Sequence, residues 1–247
     1  MPLPKIIRSR RKTIALIVQP DGSLVVRAPQ RATNRLIAGL IQQKAEWIRA
    51  RQAQAIARPQ PQTHRFTSGE HFWYLGSSYP LQVTEGSQDR LEFFGGQFRL
   101  SGDFPSFLPP AHGWEAVPGD KNPLREDRYW RGRAQALFVA WYRRQARQVL
   151  EERVALLARR GSFSYRQVKI TSARTRWGSC SRRGTLSFPW RLVMAPLPVI
   201  DYVVMHELVH TEVDGHGKSF WEHVQGLVPD FKQHLRWLKQ NGAMLEI

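Results

Sequence analysis

The stretch Ile200-Asp201-Tyr202-Val203-Val204-Met205-His206-Glu207-Leu208-Val209-His210 decides how this chain of 247 residues is read. Pro198 just before it suits the first turn of a helix, and Asp214-Gly215 stops one, so the sequence predicts a helix over about 198–213. Two histidines four apart on a helix are offset by about 40° around the axis and about 6 Å along it, so both imidazoles face one point. Two ligands of a single metal ion must do the same. Glu207 lies about 100° around from His206, beside such an ion rather than on it, where its carboxylate can accept a proton from water. His-Glu-x-x-His is the pattern of zinc metallopeptidases, and a shuffled chain of this composition would hold it about 0.013 times. The flanking Tyr202, Val203, Val204, Leu208 and Val209 predict a largely buried helix, in which polar side chains need partners.

A catalytic zinc site takes three protein ligands and keeps one position open. Two residues beyond the helix are candidates for the third. His216 stands six residues past His210, just after the Asp214-Gly215 break, where a reversal would return it to the ion. This is the metzincin spacing, but the glycine expected three past the second histidine is Val213. Glu222 on a following helix is the other candidate, although Ser219-Phe220-Trp221-Glu222 also reads as a capping box. His223 reads as a surface or packing histidine.

Outward from the motif, residues 174–194 read as a hairpin turning at Arg182-Arg183-Gly184, and 163–172 as a strand. The hairpin edge beside the motif helix is placed to pair with an extended substrate, with Arg176, Trp177, Ser179 and Cys180 along it. The lone Cys180 also reads as a small buried apolar residue. A long helix opens at Asn122-Pro123 and closes at Gly161, its apolar face marked by Trp130, Leu137, Phe138, Trp141, Leu150, Val154 and Leu157. Helices are also predicted from about Ser219 and from about Asp230 to Asn241-Gly242. Upstream, residues 13–28 read as a hairpin about Pro20-Asp21-Gly22, 34–57 as one helix, 58–62 as a linker and 70–101 as several strands. Residues 102–123 hold five prolines and three glycines and read as an exposed insertion.

The formal charge is +17, from 37 Lys and Arg against 20 Asp and Glu. Residues 1–50 and 151–200 each carry a net +8, whereas 201–247 carry −3. Arginine-rich blocks suit weak binding to nucleic acid, and a solvated surface accounts for them equally. One cysteine excludes an intrachain disulfide and a multi-cysteine metal cluster. The longest apolar run, 192–200, has nine residues including two prolines, too few for a membrane span, and the N-terminal run is too short for a signal peptide. The expectation is a cytoplasmic protein.

A wider set of residues resembles a family. Arg176-Trp177-Gly178-Ser179-Cys180-Ser181, Trp190-Arg191-Leu192, the motif helix, His216 and Phe220-Trp221 are similar to the YgjP-like metallopeptidases, relatives of the SprT-like zincins. The similarity continues through residues 8–12, Asp21-Gly22, Arg27-Ala28-Pro29, Lys44, Trp47-Ile48 and Tyr74-Leu75-Gly76. It departs at Pro189, where the family has a small polar residue, and in the length of 102–123; both bear on substrate access. The resemblance implies a Zn²⁺-dependent hydrolase of protein or peptide substrates, with His206, His210 and His216 as ligands and Glu207 as base. The expected fold is α+β, with a zincin-like catalytic lobe at 124–247, the insertion at 102–123 and a β-rich lobe at 1–101. Two other functions fit the charge: a nucleotide phosphohydrolase, and a nucleic-acid-associated protease directed at DNA-bound proteins.

Overall fold

A computed structural model of the chain describes residues 4–19, 21–56, 64–104 and 123–247. The linker expected at 58–62, the Asn122 cap and most of the 102–123 insertion lie outside the described residues. The described residues form six α-helices and three sheets. The chain divides into two compact units, Met1–Pro61 with Gln240–Met244, and Gln62–Lys239 with Leu245–Ile247.

In the first unit, β1 (Lys5–Ser9), β2 (Ala15–Val18) and β3 (Leu24–Pro29) make a sheet in the order β1-β3-β2. β2 and β3 form the expected hairpin. Its turn is closed by the Asp21 carboxylate accepting from the Ser23 N–H, and Gly22 supplies the positive φ of +81°. β1 pairs parallel to β3 and carries no signal in the sequence, because all five of its residues are exposed and show no alternation. The helix expected over 34–57 is two helices, α1 (Asn34–Gln43) and α2 (Ala45–Ile56), broken at Lys44 with neither proline nor glycine to signal it. Val26, Ala28 and Ile37 are the buried centre of this unit.

The second unit carries the motif. Its first sheet has the order β4 (His71–Tyr74), β5 (Ser77–Glu85), β7 (Gln97–Gly102), β6 (Arg90–Phe94). The long α3 (Pro123–Gly161) lays Phe138, Trp141, Tyr142, Leu150 and Val154 into the core. Phe72 stacks on Phe138 at 4.2 Å and Phe98 meets Trp141 edge-on at 5.0 Å, so this sheet and α3 share one core. The expected boundary near 101 is corrected accordingly: the division follows residue 61, because the apolar faces of β4, β5 and β7 are buried against the helices after them.

After α3 come β8 (Gln167–Thr171), β9 (Ser179–Cys180) and β10 (Thr185–Pro189), in the order β8-β10-β9. β10 runs parallel to β8 and antiparallel to β9, which leaves β9 at an edge. The hairpin expected over 174–194 is therefore shorter, and Trp190–Met194 is a 3-10 turn leading to α4 (Leu197–Val209). α5 (Lys218–Leu227) and α6 (Phe231–Asn241) follow.

α4 is apolar nearly all round and therefore buried. Two features fix its start and its side. The β4–β5 turn, Leu75-Gly76, bonds through its backbone N–H groups to Val193 O at 2.9 Å and Met194 O at 3.0 Å. A Cβ on Gly76 would stand 2.7 Å from Pro196 Cα, so only glycine lets the turn come this close. Arg153 on α3 donates from Nε and Nη2 to both Asp201 carboxylate oxygens at 2.6 Å, clamping α4 to α3.

Candidate metal centre

α4 carries His206 and Glu207 in its last turn, and His210 is its C-cap. The helix is shorter than expected, ending at Val209, and Thr211 Oγ1 closes it on Leu208 O at 2.7 Å. The chain then reverses at Gly215, whose φ is +74°. That reversal returns His216 to the other two histidines. His216 Nε2 lies 3.1 Å from His206 Nε2 and 3.1 Å from His210 Nε2. Among the described residues these three form the group able to hold a metal ion, with their ligand atoms within 4.8 Å of one another. Ligands about 2.0–2.1 Å from a tetrahedral ion are about 3.3 Å apart, close to what is seen.

The protons also favour a cation. His210 Nδ1 stands 3.1 Å from Val213 O; as the donor there, it leaves Nε2 with a bare lone pair. His216 Nε2 can donate one proton or accept one, so it satisfies only one of its two 3.1 Å contacts. A cation at the meeting point removes the mismatch. Burial, then the neighbouring His210 and His216, push His206 down to about 4, so its ring is neutral at pH 7, as a ligand must be.

Phe220, on α5 and fully buried, holds the three rings. It stacks on His210 at 4.3 Å and meets His206 at 4.8 Å and His216 at 4.9 Å edge-on. Glu222 is elsewhere: it faces Lys218 at 3.6 Å on the exposed side of α5. The expected capping box is not formed, since α5 begins at Lys218 with Gly217 as its N-cap and no side-chain cap.

A model of the YgjP-like metallopeptidase domain matches residues 12–241. The chain belongs to the YgjP-like family. It carries that family's metallopeptidase domain over nearly its whole length. The solved metallopeptidase zymogen of Pyrococcus abyssi abylysin is similar at 22% identity, over 40% of this chain and 97% of its own, with a TM-score of 0.33. No curated protein matches the chain.

In this YgjP-like domain the histidines open on a cleft of about 560 Å³. Arg176, Trp177, Ser179 and Cys180, the residues expected along the hairpin edge, all line it, as do Arg182, Tyr202, Asp214, Leu235 and Leu238. Glu207 faces the same cleft and is only 5% exposed. Burial raises its carboxyl to about 7, against the opposing pull of the Arg176 guanidinium. Gly178 is the residue that admits it. A Cβ there would stand 2.6 Å from Glu207 Cγ and 2.7 Å from Cδ, so the strand edge and the carboxyl touch only because Gly178 has no side chain. In the sequence Gly178 and Phe220 stand out only as parts of the family pattern; the fold brings them into direct contact with Glu207 and with the histidines.

Two other cleft groups are kept neutral. Tyr202, 3% exposed, is pushed up to about 12 by burial and by Glu207, so its hydroxyl stays protonated. The Cys180 thiol is raised by burial, then by Glu207 and Asp214, away from the thiolate a nucleophile needs.

Proposed function

We propose that this metallopeptidase domain hydrolyses peptide bonds with Zn²⁺ held by His206, His210 and His216 and with Glu207 as general base and acid. The observation that carries the reading is the convergence of three imidazole nitrogens beside a buried carboxyl in one open cleft. When bound, the ion supplies a Lewis acid for the scissile carbonyl and lowers the pKa of water.

The chain's own groups do the rest. His210 is oriented by Val213 O, and all three rings by Phe220. Glu207, held near 7, exchanges a proton close to neutral pH: it takes one from the attacking water and returns it to the leaving amine. The β9 edge, with Trp177 and Ser179, offers unpaired backbone groups to an extended chain. Glu207→Gln tests the assignment. It should keep stoichiometric zinc and the thermal transition and lose about 10²–10⁴-fold in turnover. A zinc-loaded Glu207→Gln protein with near wild-type hydrolysis would overturn it.

A further inference from the structure

We propose that Arg176 and Arg182 form a carboxylate-binding subsite on the β9 wall of the cleft, which selects peptides carrying a carboxylate close to the scissile bond. The inference rests on the peptidase reading and deepens it.

The two arginines bracket the edge strand. Arg176 lies three residues before β9 and Arg182 two residues after it, and both line the cleft. Three other arginines of this unit, Arg191, Arg174 and Arg153, are already matched. Glu246 accepts from Arg191 at 3.0 Å and from Arg174 at 3.3 Å, and Asp201 accepts from Arg153. Arg176 and Arg182 make no hydrogen bond or ion pair with any described residue. The Arg176 guanidinium acts on Glu207 through space, but neither arginine is within ion-pair distance of a carboxylate among the described residues. Asp214 sits between His210 and His216 and pairs with neither arginine.

The cleft therefore presents two guanidinium groups whose N–H donors are not taken up by any described residue, along the strand on which an extended peptide would lie. A guanidinium presents paired N–H donors that match a carboxylate bidentately. On a peptide that group is an Asp or Glu side chain or a free C-terminus, and the test separates the two. Leu235, Leu238 and Trp177 add apolar surface to the same cleft, so the occupant is an acidic peptide with apolar neighbours rather than a fully charged chain.

The experiment uses the full zinc-loaded chain and a matched peptide set: neutral, with one Glu scanned along the sequence, with one Lys likewise, and each as free acid or C-terminal amide. Wild type should cleave the best Glu peptide with a kcat/KM about tenfold above the neutral peptide, the scale of one charged hydrogen bond in a partly shielded site. Arg176→Ala and Arg182→Ala should each lower that ratio. Arg176→Glu should shift preference toward the Lys peptides, a gain that misfolding cannot produce. Arg183→Ala, on the same turn but outside the cleft lining, should leave the ratio as it is. A preference that survives amidation assigns the subsite to side chains; one lost on amidation assigns it to the C-terminus.

Equal cleavage of neutral and Glu peptides by wild type overturns the subsite and leaves the peptidase reading standing. The same peptides are also titrated onto the Glu207→Gln chain, where binding is read without turnover. Tighter binding of acidic peptides that Arg176→Ala removes supports the subsite even if wild type cuts nothing, a result that sinks the peptidase reading alone.

Discussion

At the scale of single residues, the site depends as much on what is missing at Gly178 as on what is present at Glu207. A methyl group at 178 would overlap the Glu207 side chain, which is only 5% exposed. Gly178→Ala should therefore displace the carboxyl while leaving the histidines alone, and a displacement near 1 Å at a reacting group costs about 10²-fold in rate. Zinc content equal to wild type, with kcat/KM reduced on that scale, is the expected pair of measurements; unchanged kinetics would mean the carboxyl does not act where it stands. The ligand assignment is tested the same way. His216 has its Nε2 at 3.1 Å from both partners, whereas Glu222 points to Lys218 with its side chain 63% exposed. His216→Ala should lose zinc to a mild chelator in dialysis and Glu222→Ala should retain it. The opposite pattern would place the site among glutamate-liganded zincins.

At the scale of elements, a few partly buried polar groups tie segments distant in sequence together. Glu70, just before β4, accepts from the backbone N–H of Arg65 at 3.1 Å and from the N–H groups of Phe66 and Thr67, and faces His64 Nδ1 at 2.8 Å. His64 Nε2 in turn lies 3.2 Å from Glu246 O, beside the tail residue Leu245, which is buried in the same core. Burial alone would raise the Glu70 carboxyl, but the His64 ring and the Arg65 and Phe66 N–H groups outweigh it and hold the carboxyl below its ordinary value. A carboxyl depressed by folding stabilises the fold above its unfolded pKa, near 4.5, and that contribution is lost as pH falls through the lower folded value. Thermal melts from pH 7 down to pH 3 should show this loss in wild type. Glu70→Gln should be less stable at pH 7 by about 1–3 kcal/mol and show a flatter acid limb; an acid limb of the same slope in both would exclude Glu70 as its source. The sequence made α4, the long α3 and the β2–β3 hairpin readable because each pairs a strong periodicity or turn signal with clear stops. It did not reveal β1, which buries no face, or the break at Lys44, which no residue type marks. Nor did it reveal the role of Glu246, whose partners Arg174 and Arg191 lie 72 and 55 residues away.

At the scale of the whole molecule, the two-unit division changes how the charge is read. The +8 block at 1–50 lies in the first unit and the +8 block at 151–200 in the second, so each unit carries its own basic surface. In the second unit a surface groove of about 440 Å³ beside β8 is lined by Arg143, Arg144 and Arg147 of α3. Glu151 partly answers it, facing Arg147 at 3.4 Å on an exposed part of the helix, where such a pair is weak. No described helix is long and apolar enough to cross a membrane. They predict weak, sequence-independent binding of polyanions. If the three groove arginines each neutralise one phosphate of a duplex, the affinity should fall about 40-fold between 50 and 200 mM salt, because each released counterion adds to the slope. Titration of a labelled DNA duplex at the two salt concentrations measures that slope. Arg143→Ala combined with Arg147→Ala should reduce it by about two contacts' worth, without altering peptide hydrolysis, since neither side chain lines the cleft. No binding at 50 mM salt would reduce the +17 charge to a property of the solvated surface. Binding indifferent to salt would exclude phosphate contacts as its origin.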